Sequence, residues 1–270
     1  MKTPKNCTNS SNMPIQNQVK KLLFLDLRGR FPESQNMKEL KNNIFNCKDC
    51  ITENECHWKL GNSEIPKHLC KIKNVEKFDA SFFGIHFNQA YLMDPMSRMM
   101  LEHAYEAIID AGINPDDIRG TRTGVFVNSC FSDSEPTLLH SKLQADVFGI
   151  TNCSRDMMAQ NISYWLGVAG PSYNVDTGCS STLYAMDQAY RFIRSGDCDY
   201  AIVSGSNLCL HPYTSLHFVR LSRVLNQDGR CKIFDEDANE CVSSVSNTQI
   251  TDRIQLNPKW MCTLFSAVIS

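Results

Sequence analysis

Between residues 94 and 203 the chain alternates helix and strand patterns, and the run ends on Tyr200 to Val203 (YAIV), a continuous apolar stretch of strand length. A strand without polar alternation is buried on both faces. It needs helices above and below it, which restricts the chain to a layered α/β sheet. The other parts of the run agree. Asp94-Pro95 reads as a helix start, with Asp as N-cap and Pro at the first helical position. Met100, Leu101, Ala104, Tyr105, Ile108 and Ala111 then recur at helical spacing until Gly112 and Asn114-Pro115 stop the helix. Thr123 to Ser129 is a strand, Met157 to Leu166 a helix, and Ser172 to Asp176 a strand after the Gly170-Pro171 break. Ser180 to Arg194 is a helix with Leu183, Met186, Ala189, Tyr190 and Ile193 on one face, stopped by Gly196.

Outside this run the signals are weaker. Residues 1–20 are polar and rich in Asn, Ser and Pro, and read as a disordered lead-in. Leu22 to Leu27 is a strand candidate, Met37 to Phe45 a short helix, and residues 47–75 are loop-like. Residues 241–258 are polar, and Trp260 to Ile269 is one short apolar segment. The expected division is therefore a lead-in at 1–20, a folded body at 21–240 and a tail at 241–270. The tail is expected to add nothing to the core.

Composition excludes several classes. Lys+Arg 27 against Asp+Glu 29 leaves a formal charge of −2, so neither a basic nucleic-acid sleeve nor an acidic tail is the theme. No apolar run approaches the roughly 18–20 residues of a membrane span, and the first 20 residues hold no apolar signal region. A cytoplasmic protein without nucleic-acid or membrane partners is expected. Thirteen cysteines without an export signal read mostly as reduced, small hydrophobes.

One cysteine stands apart. Val175-Asp176-Thr177-Gly178-Cys179-Ser180-Ser181 lies between a strand and a helix, so Cys179 sits at a sharp turn near a helix N-terminus. Backbone N–H groups and the macrodipole at such a position stabilise a thiolate. The context resembles the nucleophile elbow of serine hydrolases, with Cys in place of Ser. A buried structural cysteine is the competing reading.

The surrounding block, Gly170 to Asn207, resembles the active-site block of β-ketoacyl synthases, most closely the synthase domain of animal-type, insect-like, multifunctional fatty acid synthases. The likeness also takes in Gly29-Arg30-Phe31-Pro32, Lys77 through Gly84, Asp94-Pro95 through Ala107, Asp110 through Ile113, Gly120 through Val127 and Gly229 through Asp235. It covers about residues 21–240. The resemblance implies an α/β, thiolase-like layered fold, of which this chain is the N-terminal half only. It implies decarboxylative condensation of acyl and malonyl thioesters, with substrates carried on the phosphopantetheine of an acyl carrier protein. Cys179 matches the family's nucleophile, and its own N–H matches one oxyanion donor. A homodimer is implied for the full-length enzyme. No cofactor is bound directly, and no metal.

The resemblance has gaps. The family's two histidines and lysine come from HGTGT and NxGH motifs in its second half, and neither motif occurs here. The seven histidines (His57, His68, His86, His103, His140, His211 and His217) lie in no matching motif. The glycine-rich turn that supplies the second oxyanion donor is missing. The usual Arg of an MMANRISY-like segment is replaced, the segment here reading Ala159-Gln160-Asn161-Ile162-Ser163; Leu25-Asp26-Leu27 replaces a small apolar start, and Glu240-Cys241-Val242-Ser243 replaces a Gly-Tyr, Arg and Glu-Gly segment. The isolated chain is accordingly not expected to condense. Its alternative reading is a non-catalytic relic or a dimerisation partner of a full-length synthase.

Other constellations carry less. Cys47-x-x-Cys50 with Cys56-His57 and His68-x-Cys70 has zinc-type ligands but loose spacing, and a surface loop is the simpler reading. The Met96, Met99 and Met100 cluster near Met93 reads as core and interface filler.

Overall fold

The computed structural model describes residues 23–53, 68–130, 132, 134–135, 154–211, 214, 216–217, 220, 250–256 and 261–262. The lead-in at 1–20 and much of the tail lie outside the described residues.

Strands β1 (Leu23–Arg28), β4 (Thr123–Asn128), β5 (Ser172–Asn174), β6 (Tyr200–Gly205) and β7 (Ile250–Leu256) form one sheet in the order β1-β7-β6-β4-β5. β4 runs parallel to both β5 and β6, with Val125 opposite Ser172 on one side and Ile202 on the other. β7 is antiparallel to both of its neighbours, β6 and β1. A separate antiparallel pair joins β2 (Ile51–Glu53) to β3 (His68–Cys70), in register Ile51 to Cys70. β8 (Met261–Cys262) pairs with the end of β7.

The α-helices described end to end are α1 (Met37–Phe45), α2 (Phe87–Leu92), α3 (Pro95–Asp110), α4 (Met157–Leu166) and α5 (Ser181–Ser195). The period-2 pattern of the strands sorts the core into two layers. Val125, Val127 and Ile202 face α3 and α4, where Met96, Met99, Met100, Leu101, Ile108, Met158, Ile162 and Leu166 are buried. Phe126, Ala201 and Val203 face the other way, onto Ala185, Ala189 and Ile193 of α5 with Phe31 and Leu40. Both layers exclude water, so β4 and β6 need no polar alternation. Each large side chain buried in this way stabilises the fold by about 1.5–3 kcal/mol. The four methionines of the 93–100 segment are all buried, as the sequence suggests. Among the described residues no helix is long and apolar enough to cross a membrane.

The caps follow the sequence. The Asp94 side chain accepts from the Met96 N–H at 2.7 Å, with Pro95 following at the first turn. The C-terminus of α3 closes with Gly112 N–H to Ile109 O and Ile113 N–H to Ile108 O, a Schellman pair.

Three expectations are corrected. Residues 47–75 are not wholly loop, since β2 and β3 pair within them; strands of three residues leave too little pattern to read. The buried face of α5 is Ser181, Thr182, Ala185, Ala189 and Ile193, while Leu183 is 58% exposed. The alanines allow the helix to lie close against Phe126, which rotates Leu183 outward. The tail does contribute to the core sheet: β7 lies between β1 and β6, so its backbone is paired on both edges. Its register is Tyr200 to Gln255 through Gly205 to Ile250, a full-length match to β6.

Candidate active site

The carboxyl ends of the parallel strands converge on one edge of the sheet, where open α/β sheets place their ligands. β4 ends in Asn128-Ser129-Cys130, β5 runs into Val175 and Asp176, and β6 ends at Gly205. The turn that carries Cys179 lies here, between β5 and the first residue of α5.

Local hydrogen bonds shape that turn. Gly178 takes φ +65°, a left-handed conformation that costs glycine little. The Gly178 N–H donates to Asp176 Oδ1 at 3.2 Å. The Thr177 N–H donates to Ser181 Oγ at 2.7 Å, and the Ser181 hydroxyl donates to Gly178 O at 2.6 Å. The Ser180 hydroxyl donates to Thr177 O at 3.0 Å. Side chains of the first helical residues thus tie the turn back onto the helix. Residues 176–180 are exposed, Cys179 included.

The helix itself is anchored to the sheet by a buried bond. Thr182 Oγ1 donates to Asn128 Oδ1 at 2.9 Å. Gly205 passes so close that an added Cβ would lie 2.0 Å from Asn128 Oδ1. The first turn of α5 is therefore set against the ends of β4 and β6.

Two further side chains border the turn, and the sequence reading missed both. Cys130, half-buried, donates its thiol to Gly178 O at 3.2 Å and lies 3.6 Å from Ser181 Oγ. Arg155 donates to the Cys130 carbonyl and to Asp176 Oδ2, the latter at 3.3 Å. The signal that finds them is topological: Cys130 follows a parallel strand at the edge that holds Cys179, and Arg155 precedes the helix beside it.

The thiols differ in chemistry. Burial pushes the Cys50 and Cys130 thiols above their ordinary value. Burial, with the charges of Asp197 and Asp199, pushes Cys198 up to about 11. Cys209 is buried. Of the cysteines whose side chains are described, Cys47 and Cys179 are exposed, and of these two Cys179 stands at the head of a long helix.

Two histidines serve helices away from the turn. His86 caps α2 through Nδ1, and His103 is buried in α3 with Nδ1 2.9 Å from Glu106 Oε2. His57 and His140 lie outside the described residues. Of the zinc-type cluster, Cys56 and His57 also lie outside them; Cys47 and Cys50 precede β2, and His68 and Cys70 fall on β3. A cleft of about 660 Å³ lined by Phe83, Gln89, Arg119, Asn161, Tyr164 and Trp165, among others, lies on the α3–α4 side and includes none of the turn residues.

Comparisons with known proteins converge on one group. The family model described as β-ketoacyl synthase, N-terminal domain, matches residues 27–244. Fatty acid synthase from Anser anser anser is 44% identical over 214 residues, covering 79% of this chain and 60% of that protein. Probable polyketide synthase 7 from Dictyostelium discoideum is 34% identical over 238 residues, covering 84% of this chain and 9% of that protein. The ketosynthase from module 6 of the bacillaene synthase from Bacillus subtilis 168 has a TM-score of 0.73 at 28% identity, covering 84% of this chain and 38% of that chain. This chain thus spans three fifths or less of each relative.

Proposed function

Because the chain belongs to the β-ketoacyl synthase N-terminal domain family and has the thiolase-like α/β fold of ketosynthases, we propose that it carries the acyl-accepting half of a decarboxylative condensation. Cys179 is the nucleophile in this reading. Its sulfur attacks the carbonyl of an acyl thioester carried on the phosphopantetheine of an acyl carrier protein. The carbon–sulfur bond to Cys179 forms, the bond to the pantetheine sulfur breaks, and the cysteine proton leaves with the pantetheine thiol. The Cys179 N–H is one donor for the oxyanion formed on the way. In the complete reaction a malonyl thioester loses carbon dioxide, and its carbanion takes the acyl group from Cys179.

The observation that carries the reading is the exposed Cys179 thiol at the head of α5, in a turn fixed by Ser181, Thr182 and Asn128. We assign the chain to fatty acid synthesis of the animal type, which the higher identity to the goose protein than to the amoebal polyketide synthase supports. A cytoplasmic, homodimeric parent enzyme belongs to the same reading.

This chain supplies the nucleophile but not the family's histidine motifs, so acyl loading and condensation separate. The test supplies the pure chain with an acyl-pantetheine thioester and then a malonyl-pantetheine thioester. The expected result is an acyl-protein that hydroxylamine cleaves, with no release of carbon dioxide above the protein-free control. Losing one oxyanion donor alone costs about 10²–10³-fold in rate. Failure to load, with the fold intact, would overturn the assignment of Cys179; robust ketoacyl product would overturn the half-reaction account.

A further inference from the structure

Among the described residues, Cys130 is the thiol placed against the Cys179 turn, and acyl transfer has no use for it. Its Sγ is 3.2 Å from the carbonyl oxygen of Gly178, the peptide that leads into Cys179. With standard bond lengths and a trans peptide, that contact limits the Cα–Cα separation of Cys130 and Cys179 to about 9 Å. Disulfides span about 4.4–6.8 Å between Cα atoms, within reach of an exposed turn. Two other features shape the pair. The Ser181 hydroxyl shares the Gly178 carbonyl with the Cys130 thiol. Arg155 holds the Cys130 carbonyl and the Asp176 carboxylate together, so the two segments carrying the cysteines are clamped side by side.

We propose that Cys130 is a resolving cysteine for Cys179, so that peroxide converts the site to a reversible Cys130–Cys179 disulfide. The chemistry assigns different roles to the two sulfurs. Cys179 is exposed and attacks hydrogen peroxide first; its sulfur is oxidised to a sulfenic acid as the O–O bond breaks and water leaves. Cys130 is half-buried, and burial raises its thiol above the ordinary value, so it stays protonated and unreactive toward peroxide. It then attacks the sulfenic sulfur, the S–S bond forms, and the second oxygen leaves as water with the Cys130 proton. Two thiols and one peroxide give one disulfide and two waters, with two electrons passing to the peroxide. Thiols restore the nucleophile by exchange. Without Cys130, the sulfenic acid stays open to further, irreversible oxidation.

The proposal shares Cys179 with the acyl-transfer reading but uses no acyl donor, so the two fail separately. The test treats the full chain with hydrogen peroxide, blocks free thiols, and maps disulfide-linked peptides without reduction. The same treatment is given in strong urea and to C130S. The expected result is a Cys130–Cys179 linkage that dominates among the thirteen cysteines in buffer, falls several-fold in urea, and is reversed by dithiothreitol. In C130S, sulfinic acid at Cys179 accumulates several-fold faster. Equal linkage yields with and without urea would overturn the proposal, as would Cys179 oxidised only to sulfinic acid in the wild-type chain. A dominant Cys47–Cys50 bridge that leaves Cys179 free would do the same.

Discussion

Thr182 and Asn128 are joined by a buried hydrogen bond of 2.9 Å that fixes the first turn of α5 to the end of β4, three residues past the proposed nucleophile. Gly205 packs against both, with an added Cβ lying 2.0 Å from Asn128 Oδ1 and 2.8 Å from Thr182 Oγ1. Thr182→Val deletes the donor and leaves the Asn128 oxygen unpaired, which costs about 1–3 kcal/mol. Gly205→Ala drives the Asn128 side chain from its place and is expected to cost at least as much. Urea unfolding midpoints measure both. Both variants should also load acyl groups more slowly than wild type where they remain folded.

Asp94 caps α3 while almost fully buried, accepting from the Met96 N–H and from the Ser132 hydroxyl at 2.7 Å each. Burial pushes its carboxyl above the ordinary 3.8, against the lowering effect of those hydrogen bonds. Between 3.8 and the raised folded value, the folded chain therefore holds a proton that the unfolded chain has released. The group's contribution to stability is full below 3.8 and is lost as pH rises through the folded value. Measured against Asp94→Asn, which keeps a cap oxygen without the titration, wild type should gain stability as pH falls toward 3.8. Asp94→Ala should cost about 0.5–2 kcal/mol through the lost cap. Denaturant unfolding of the three proteins across that window checks both statements.

The tail strand gives a sharper structural test. β7 is paired to β6 on one edge and β1 on the other, with Arg253 opposite Ile202. Proline in a doubly paired strand removes a ladder donor and is confined in nature to edges and bulges. Arg253→Pro, or truncation after Ser244, should abolish sharp thermal unfolding and drive the chain to aggregate on size exclusion. A truncated chain that melts like the intact one would show that β7 is dispensable.

Much of this architecture is legible in the residues. Met37–Phe45 and Met157–Leu166 match the expected helices end for end, and α3 is announced by Asp94-Pro95 and closed at Gly112. The apolar runs of β4 and β6 announce burial on both faces. What the sequence conceals is set by tertiary pairing. Ile250–Leu256 reads as polar tail because Thr251, Asp252, Arg253 and Gln255 interrupt it; its place comes from backbone ladders on both sides. The buried face of α5 follows from close approach at Ala185 and Ala189, which periodicity alone cannot weigh against Leu183. The position of Cys179 in an exposed turn before a helix is legible, whereas Cys130 and Arg155 emerge only once parallel strands bring distant segments to one edge.

The account rests on Cys179 as the acyl acceptor, and site-resolved acylation tests it most directly. The folded chain is incubated with an acyl-pantetheine thioester, digested under conditions that preserve thioesters, and the acyl occupancy of every cysteine is read by mass spectrometry. The account predicts that Cys179 carries most of the label, that the exposed Cys47 carries little, that buried Cys198, with its thiol pushed up to about 11, carries none, and that Cys179→Ser removes the signal. Acylation spread evenly over the exposed cysteines, or unchanged in Cys179→Ser, would contradict it.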